Sequence, residues 1–308
     1  MGNAMRIGVD LGGTKIETIA LTDRGEILAR ERRPSPAGDY RATVQAVADA
    51  VVALEAGLEG KGNVGVGIPG AISPANGLIK NANSTWLIGK PFDRDLAGLL
   101  GRPVRMANDA NCFALSEATD GAGKGAAIVF GVILGTGVGG GLVIDGRCVA
   151  GRNAIAGEWG HNPLPWPEPA ERPGPDCYCG KRGCIETFLS GPALARDHYA
   201  ATGRQCTPPE IAAAAATERD AENTLRRFEE RLARALATVI NVIDPDVIVL
   251  GGGLSNLDRL YTNVPALWGA HVFSDRVETK LVPPRHGDSS GVRGAAWLWP
   301  PNSGGNPV

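Results

Sequence analysis

No block of basic residues occurs anywhere in this chain. Its 31 lysines and arginines are offset by 33 aspartates and glutamates, a net charge of −2. That excludes nucleic acid and anionic membrane as partners, because a phosphate-backbone footprint requires clustered cations. Cysteine is sparse as well. Six in 308 residues, at uneven spacing, do not make the dense disulfide framework of a small secreted domain. No charged leader with an apolar core precedes the first apolar run, so no secretory signal is expected and the location reads as cytoplasmic. Residues 1–4 read as a leader or an alternative start and enter no fold argument.

A membrane-spanning helix is missing too. Residues 125–144, GAAIVFGVILGTGVGGGLVI, are free of charge over roughly a bilayer's length. Seven of the twenty are glycine, however, five of them within 135–141. A strand, a glycine turn and a second strand account for that pattern better than a helix.

What is present is the apolar content of a globular protein, 43%, in a chain long enough for two domains. RIGVDLGGTKIETIALTDRGEILAR predicts strand, turn, strand, turn, strand. Residues 39–58 predict a helix capped by Asp39, and NVGVGIPG a short buried strand that ends in a glycine-proline loop. PVRMANDANCFALSEA predicts a strand stopping at Asn108-Asp109 and opening into a helix. VFGVILGTGVGGGLVIDGRCVAG then repeats the opening plan, with Ile133 standing where the first copy has Asp10. Leu225, Phe228, Leu232, Leu236, Val239 and Ile243 follow at steps of three and four, an amphipathic helix against a core. DPDVIVLGGGLSN predicts a buried strand, a triple-glycine turn and a helix capped by Ser255 or Asn256. Ser289 or Ser290 is expected to cap a last short helix.

Three glycine turns, at 12–13, 135–141 and 251–253, each end a buried strand, where exposed backbone N–H groups can meet an anion. Each is equally explained as a tight turn; together they point to a nucleotide cleft. GTGVGG satisfies the dinucleotide spacing at Gly135, Gly137 and Gly140, but a strand follows it where that fingerprint needs a helix. The Walker pattern is absent.

Among carboxylates, Asp109 stands where a strand meets a helix, as a ligand-facing group or as a plain cap. Asp10 lies inside an apolar strand, costly without a partner. Cys177, Cys179 and Cys184 form C-x-C-x₄-C, with His161 sixteen residues before the first. A reducing compartment and an odd number of thiols disfavour a disulfide. Three thiolates and an imidazole suit a closed structural zinc site, with packing as the alternative.

DLGGTK resembles the first phosphate loop of the sugar kinase, actin and Hsp70 superfamily. More narrowly, the chain resembles the ROK family along almost its whole length: DLGGTK, GVGIPG, NANSTWL, ANDANC, GTGVGGG, AGEWGHNPL, CYCGKRGCIE, VIVLGGG and HGDSSGVRGAAWLW. The resemblance implies an α/β, two-domain actin-like ATPase (ribonuclease H-like) fold with a duplicated βββαβα core and an interdomain cleft. The first domain would span residues 5–117 and be completed by a C-terminal helix at about 291–300. The second would span 118–290, carry a zinc-binding insertion at 157–186, and precede a frayed tail at 301–308.

The implied activity is ATP-dependent phosphorylation of a hexose at O6, of the fructokinase type that also takes mannose. A glucokinase or an N-acetylhexosamine kinase is the alternative. A sugar-sensing repressor is the remote one, because a first strand at Arg6 leaves no room ahead of it for a DNA-binding helix pair. Implied cofactors and partners are ATP, Mg²⁺, structural Zn²⁺, the hexose and a second copy in a homodimer. By the same resemblance Asp109 takes the hydroxyl proton, and Gly70, Asn83, Asn108, Glu158, His161 and Glu186 contact the sugar. Asp10 faces Mg²⁺. Gly12, Gly13, Thr14, Lys15, Gly135, Thr136 and Gly137 lie at the phosphates, with Gly251 and Gly252 at the adenosine. His161, Cys177, Cys179 and Cys184 are the implied zinc ligands, holding the sugar-facing histidine and Glu186 in place. The proline-rich NPLPWPEPAERPGPD reads either as a lid over the sugar or as a semi-rigid spacer.

Overall fold

The structure, a computed structural model, describes residues 5–300; residues 1–4 and 301–308, on which the expected leader and frayed tail fall, lie outside the described residues. β1 (Arg6–Leu11), β2 (Lys15–Leu21) and β3 (Ile27–Pro34) form the expected antiparallel meander. α1 (Tyr40–Gly57) starts where the Asp39 carboxylate accepts the Ala42 N–H at 3.0 Å, satisfying one of the helix's free donors. It leads to β4 (Asn63–Ile68), parallel to β1. A two-stranded ribbon, β5 (Ala71–Ile72) with β6 (Ile79–Lys80), and α2 (Phe92–Leu100) precede β7 (Val104–Asn108), parallel to β4. The sheet order is β3-β2-β1-β4-β7.

After α3 (Asp109–Thr119) the plan repeats. β8 (Ile128–Leu134), β9 (Val138–Ile144) and a two-residue β10 (Arg147–Cys148) form the second meander. Four helices intervene: α4 (Glu186–Leu189), α5 (Gly191–Thr202), α6 (Pro208–Ala214) and α7 (Arg219–Ile243). β11 (Val247–Gly251) then pairs in parallel with β8, and after α8 (Leu260–Trp268), β12 (Lys280–Val282) pairs with β11. The order β10-β9-β8-β11-β12 matches the first sheet strand for strand, so the weak repeat between the two hairpins is a repeat of whole sheets.

Each sheet has its own apolar layer. Val9, Val47, Val51, Val66 and Phe92 fill the first; Leu134, Leu232, Leu236, Ile248 and Leu250 fill the second. A third cluster, with Leu21, Phe113, Val129, Val249 and Val292, joins them. It is built on α3 and on the last helix, α9 (Ser290–Trp297). α9 lies directly on β1 and β4 because Gly8 and Gly65 have no Cβ: one there would overlap the Val292 or Ala295 carbonyl. No helix among the described residues is long and apolar enough to cross a membrane.

Two expected caps are absent. Gly253–Asn256 form only a 3₁₀ turn, and α8 starts at Leu260. The Ser255 hydroxyl donates back to the Gly252 carbonyl at 2.7 Å, and with α8 starting five residues later it has no helix N–H within reach to cap. At the last helix no side chain caps α9, and the Ser290 hydroxyl donates to Glu117 of α3 at 2.7 Å.

Candidate active site

A cavity of about 170 Å³ opens at the carboxyl ends of β4, β7 and β8, where open α/β sheets bind ligands. Gly70, Asn83, Asn108, Asp109, Glu158, His161 and Glu186 all line it, together with Gly135, Thr136 and Gly137 of the second glycine turn. Residues from seven separate stretches of chain thus meet in one place. A larger cavity of about 570 Å³ lies on the far side of Asn108, but its walls hold no carboxylate.

Asp109 is the first residue of α3. The carboxamide oxygen of Asn108 accepts the Ala110 N–H at 2.9 Å as the helix cap, and Asp109 Oδ1 accepts the same N–H at 2.8 Å. Asn108 therefore caps the helix, leaving the rest of the Asp109 carboxylate to face the cavity. Burial holds its pKa above the ordinary carboxylate value, and the charge of Glu158 adds to that, against the opposing hydrogen bonds from Ala110 and Asn108. A carboxylate so placed is a stronger proton acceptor than an exposed one.

The segment carrying Glu158 and His161 lies flat on β9. Gly157, at φ +92°, and Gly160 face the Gly140 and Val138 carbonyls so closely that neither has room for a Cβ. The Trp159 indole N–H bonds the Gly139 carbonyl at 2.9 Å. Glu186, at the start of α4, reaches the second glycine turn: Val138 N–H donates to its Oε2 at 2.9 Å. A Cβ at Gly137 would stand 2.6 Å from that same oxygen, so a larger residue there would push the Glu186 carboxylate from this position.

The remaining sequence candidates are not on the cavity wall. Asp10, on β1, is pushed up to about 6, first by burial and then by the charges of Asp109 and Glu17, which puts it within electrostatic reach of Asp109. Gly12, Gly13 and Thr14 form the exposed turn between β1 and β2, and Lys15 is exposed at its end. A Cβ at Gly13 would lie 3.8 Å from Ser84 Oγ, beside the NANSTWL loop. Gly251 packs against the Phe113 ring, and Gly252, at φ +79°, against the Leu134 carbonyl. The triple-glycine turn therefore borders the second glycine turn without entering the cavity.

The ligand atoms of His161, Cys177, Cys179 and Cys184 lie within 4.8 Å of one another. Cys177 Sγ is 3.5 Å from His161 Nδ1, and Cys179 and Cys184 Sγ are 3.6 Å apart. Two sulfurs on a tetrahedron with Zn–S bonds of about 2.3 Å stand about 3.8 Å apart, so the donor set and its spacing fit zinc.

Sequence reasoning missed several lining residues, among them Pro69, Asn81 and Tyr178. Tyr178 had a signal, since it is the x of C-x-C, one residue from two candidate ligands. Residues 165–176 of the proline-rich segment contribute nothing to the cavity wall. Glu171 instead forms buried ion pairs with Arg231 (2.7 Å) and Arg234 (2.8 Å) of α7, and Trp166 stacks on His271 at 5.4 Å. It is a brace across the second half.

The family model described as ROK matches residues 6–302. The chain belongs to the ROK family. It is 44% identical over 300 residues to the N-acetyl-D-glucosamine kinase of Vibrio cholerae, covering 96% of this chain and 99% of that protein. The N-acetyl-D-glucosamine kinase of Yersinia pseudotuberculosis is 40% identical over 303 residues, with 96% and 98% covered. Among solved structures, the ROK hexokinase from Thermus thermophilus superposes with a TM-score of 0.84 at 31% identity, covering 96% and 97%. A ROK family glucokinase from Streptomyces griseus, in complex with glucose and AMPPNP, gives 0.77 at 27% identity, covering 96% and 99%. The expected actin-like ATPase fold is thereby shown, and the broad class is that of a ROK sugar kinase. The fructokinase branch is not: these curated relatives are named for N-acetyl-D-glucosamine.

Proposed function

We propose that the protein transfers the γ-phosphoryl group of ATP to the O6 hydroxyl of a hexose held in the 170 Å³ cavity. One observation carries the reading: Asp109, its pKa raised by burial, faces a small space that Asn83, Asn108, Glu158, His161 and Glu186 also line. The O6 lone pair attacks the γ-phosphorus, the bond to the β–γ bridging oxygen breaks, ADP leaves, and the O6 proton passes to Asp109. Asn83, Asn108 and the Gly70 backbone orient that end of the sugar, and Glu158, His161 and Glu186 hold the other. Backbone N–H groups of Gly12–Thr14 and Gly135–Gly137, with Lys15, receive the phosphates, and Gly251 and Gly252 border the adenosine. Mg²⁺, held through Asp10, would neutralise phosphate charge.

His161, Cys177, Cys179 and Cys184 would hold a structural zinc that locks the imidazole and the Glu186 turn. The two sheets act as jaws divided near residue 117, in a cytoplasmic homodimer. One sugar reading is D-fructose, with mannose, which rests on the whole-chain resemblance to the fructokinase branch alone. N-acetyl-D-glucosamine is the second, supported by the 40–44% identical relatives.

Coupled ADP release with Mg-ATP against fructose, mannose, glucose, allose, N-acetylglucosamine and N-acetylmannosamine tests the reading. Turnover on one or more is expected, and silence on all from folded, zinc-replete protein would overturn it. Asp109→Asn should lower kcat at least about a thousandfold while sugar binding, read by calorimetry, persists. Near-normal turnover would remove Asp109 from its role.

A further inference from the structure

Tyr178 rides on a fixed turn. The Gly180 N–H bonds the Cys177 carbonyl at 3.0 Å, and the Cys177 N–H bonds the Lys181 carbonyl at 2.8 Å. The side chain leaves this turn 77% exposed, yet it forms part of the cavity wall with Glu158, His161 and Glu186. Its hydroxyl stands 2.9 Å from His161 Nε2, and its ring meets the imidazole edge-on at 5.1 Å and 87°. Nδ1 of that imidazole faces Cys177, which leaves Nε2 as the nitrogen available to a ligand. The phenol oxygen thus occupies a position that a sugar hydroxyl bonded to His161 would take.

We infer that Tyr178 sets the substrate class: its ring closes the His161 end of the cavity, so that an unsubstituted hexose is accepted and one carrying an N-acetyl group toward His161 is disfavoured. The inference rests on the kinase reading above. A hydroxyl can share His161 with the phenol after a small swing of an exposed side chain. A planar acetamide at that carbon has to displace the ring altogether and forfeit the bond between phenol and imidazole. The cavity has little slack for it, since about 170 Å³ falls below the ~300–1,000 Å³ usual for ligand pockets. The exposure of Tyr178 makes this a selectivity device acting through KM rather than an absolute bar.

The test compares wild type, Tyr178→Gly and Tyr178→Phe, each checked for equal zinc content. kcat and KM are measured on fructose, mannose, glucose, N-acetylglucosamine and N-acetylmannosamine, with sugar affinity read by calorimetry without ATP. Wild type should prefer its best unsubstituted hexose over its best N-acetylated one by about tenfold or more in kcat/KM. Tyr178→Gly should shrink that ratio about tenfold, mainly through a lower KM for the N-acetyl sugar, whereas Tyr178→Phe keeps the wall and the ratio. Wild type turning over an N-acetyl sugar as well as any plain hexose would overturn the inference, as would an unmoved ratio in Tyr178→Gly. Turnover of no sugar by any of the three defeats the kinase reading instead. Calorimetry then still decides: no gain in N-acetyl-sugar affinity on removing the ring overturns the role of Tyr178.

Discussion

Replacing Asp10 by asparagine should make the protein more stable while removing its activity. Burial and the neighbouring charges of Asp109 and Glu17 raise this carboxyl from its ordinary 3.8 to about 6. A raised carboxylate pKa means that folding disfavours the ionised form, so stability falls as pH rises from 3.8 through 6, and the penalty is complete above that. The difference of about two units corresponds to at most about 3 kcal/mol at pH 8. About half of that remains at pH 5, and about a fifth at pH 4. Asparagine, nearly isosteric and uncharged, escapes it. The gain is expected as a rise in the urea midpoint at pH 8 for Asp10→Asn over wild type, shrinking steadily toward pH 4. Mg-ATP should narrow the gap by stabilising wild type preferentially, because a cation at Asp10 favours its charged form. An asparagine variant no more stable than wild type at pH 8, or a difference independent of pH, would refute the reasoning.

Glu171→Ala should cost about 3–5 kcal/mol, because it leaves the buried guanidinium groups of Arg231 and Arg234 without their carboxylate; thermal unfolding reads it, and the sugar KM of the folded fraction should stay unchanged. Cys184→Ser should lower bound zinc, measured by atomic absorption, and weaken sugar binding by about 10–100-fold, since the cluster supports His161 and Glu186. Gly160→Ala should lower both stability and sugar affinity, because its Cβ would strike the Val138 carbonyl and lift Glu158 and His161 off β9; circular dichroism and calorimetry together separate the two effects.

Local order accounts for what was legible beforehand. Asp39 caps α1 as expected because a cap needs only residues three apart. The step-of-three-and-four pattern predicts α7, with Leu225, Phe228, Leu232 and Leu236 buried. The zinc donors were recognisable because three of the four fall within eight residues, a spacing that brings thiols together whatever surrounds them. Ser255 and Ser290 misled for the same reason inverted. Each reads as a cap in the chain, but α8 starts only at Leu260 and Ser290 lies inside α9 as its first residue; their hydroxyls donate instead to the Gly252 carbonyl and to the Glu117 carboxylate of α3.

The sequence by itself determined the repeated hairpins, the glycine turns, the ligand cluster and the family, because each is written in short-range spacing or in a run of motifs. Tertiary structure alone decided that Asn108 caps α3 so that Asp109 can face the cavity, and that Glu186 binds the Val138 N–H across 48 residues. It tied the proline-rich segment to α7 through Glu171, because the arginines that pair with it lie more than fifty residues further along the chain. It also set Tyr178 against His161. Such pairings depend on where two sheets meet and which way a side chain turns, and no local pattern encodes either.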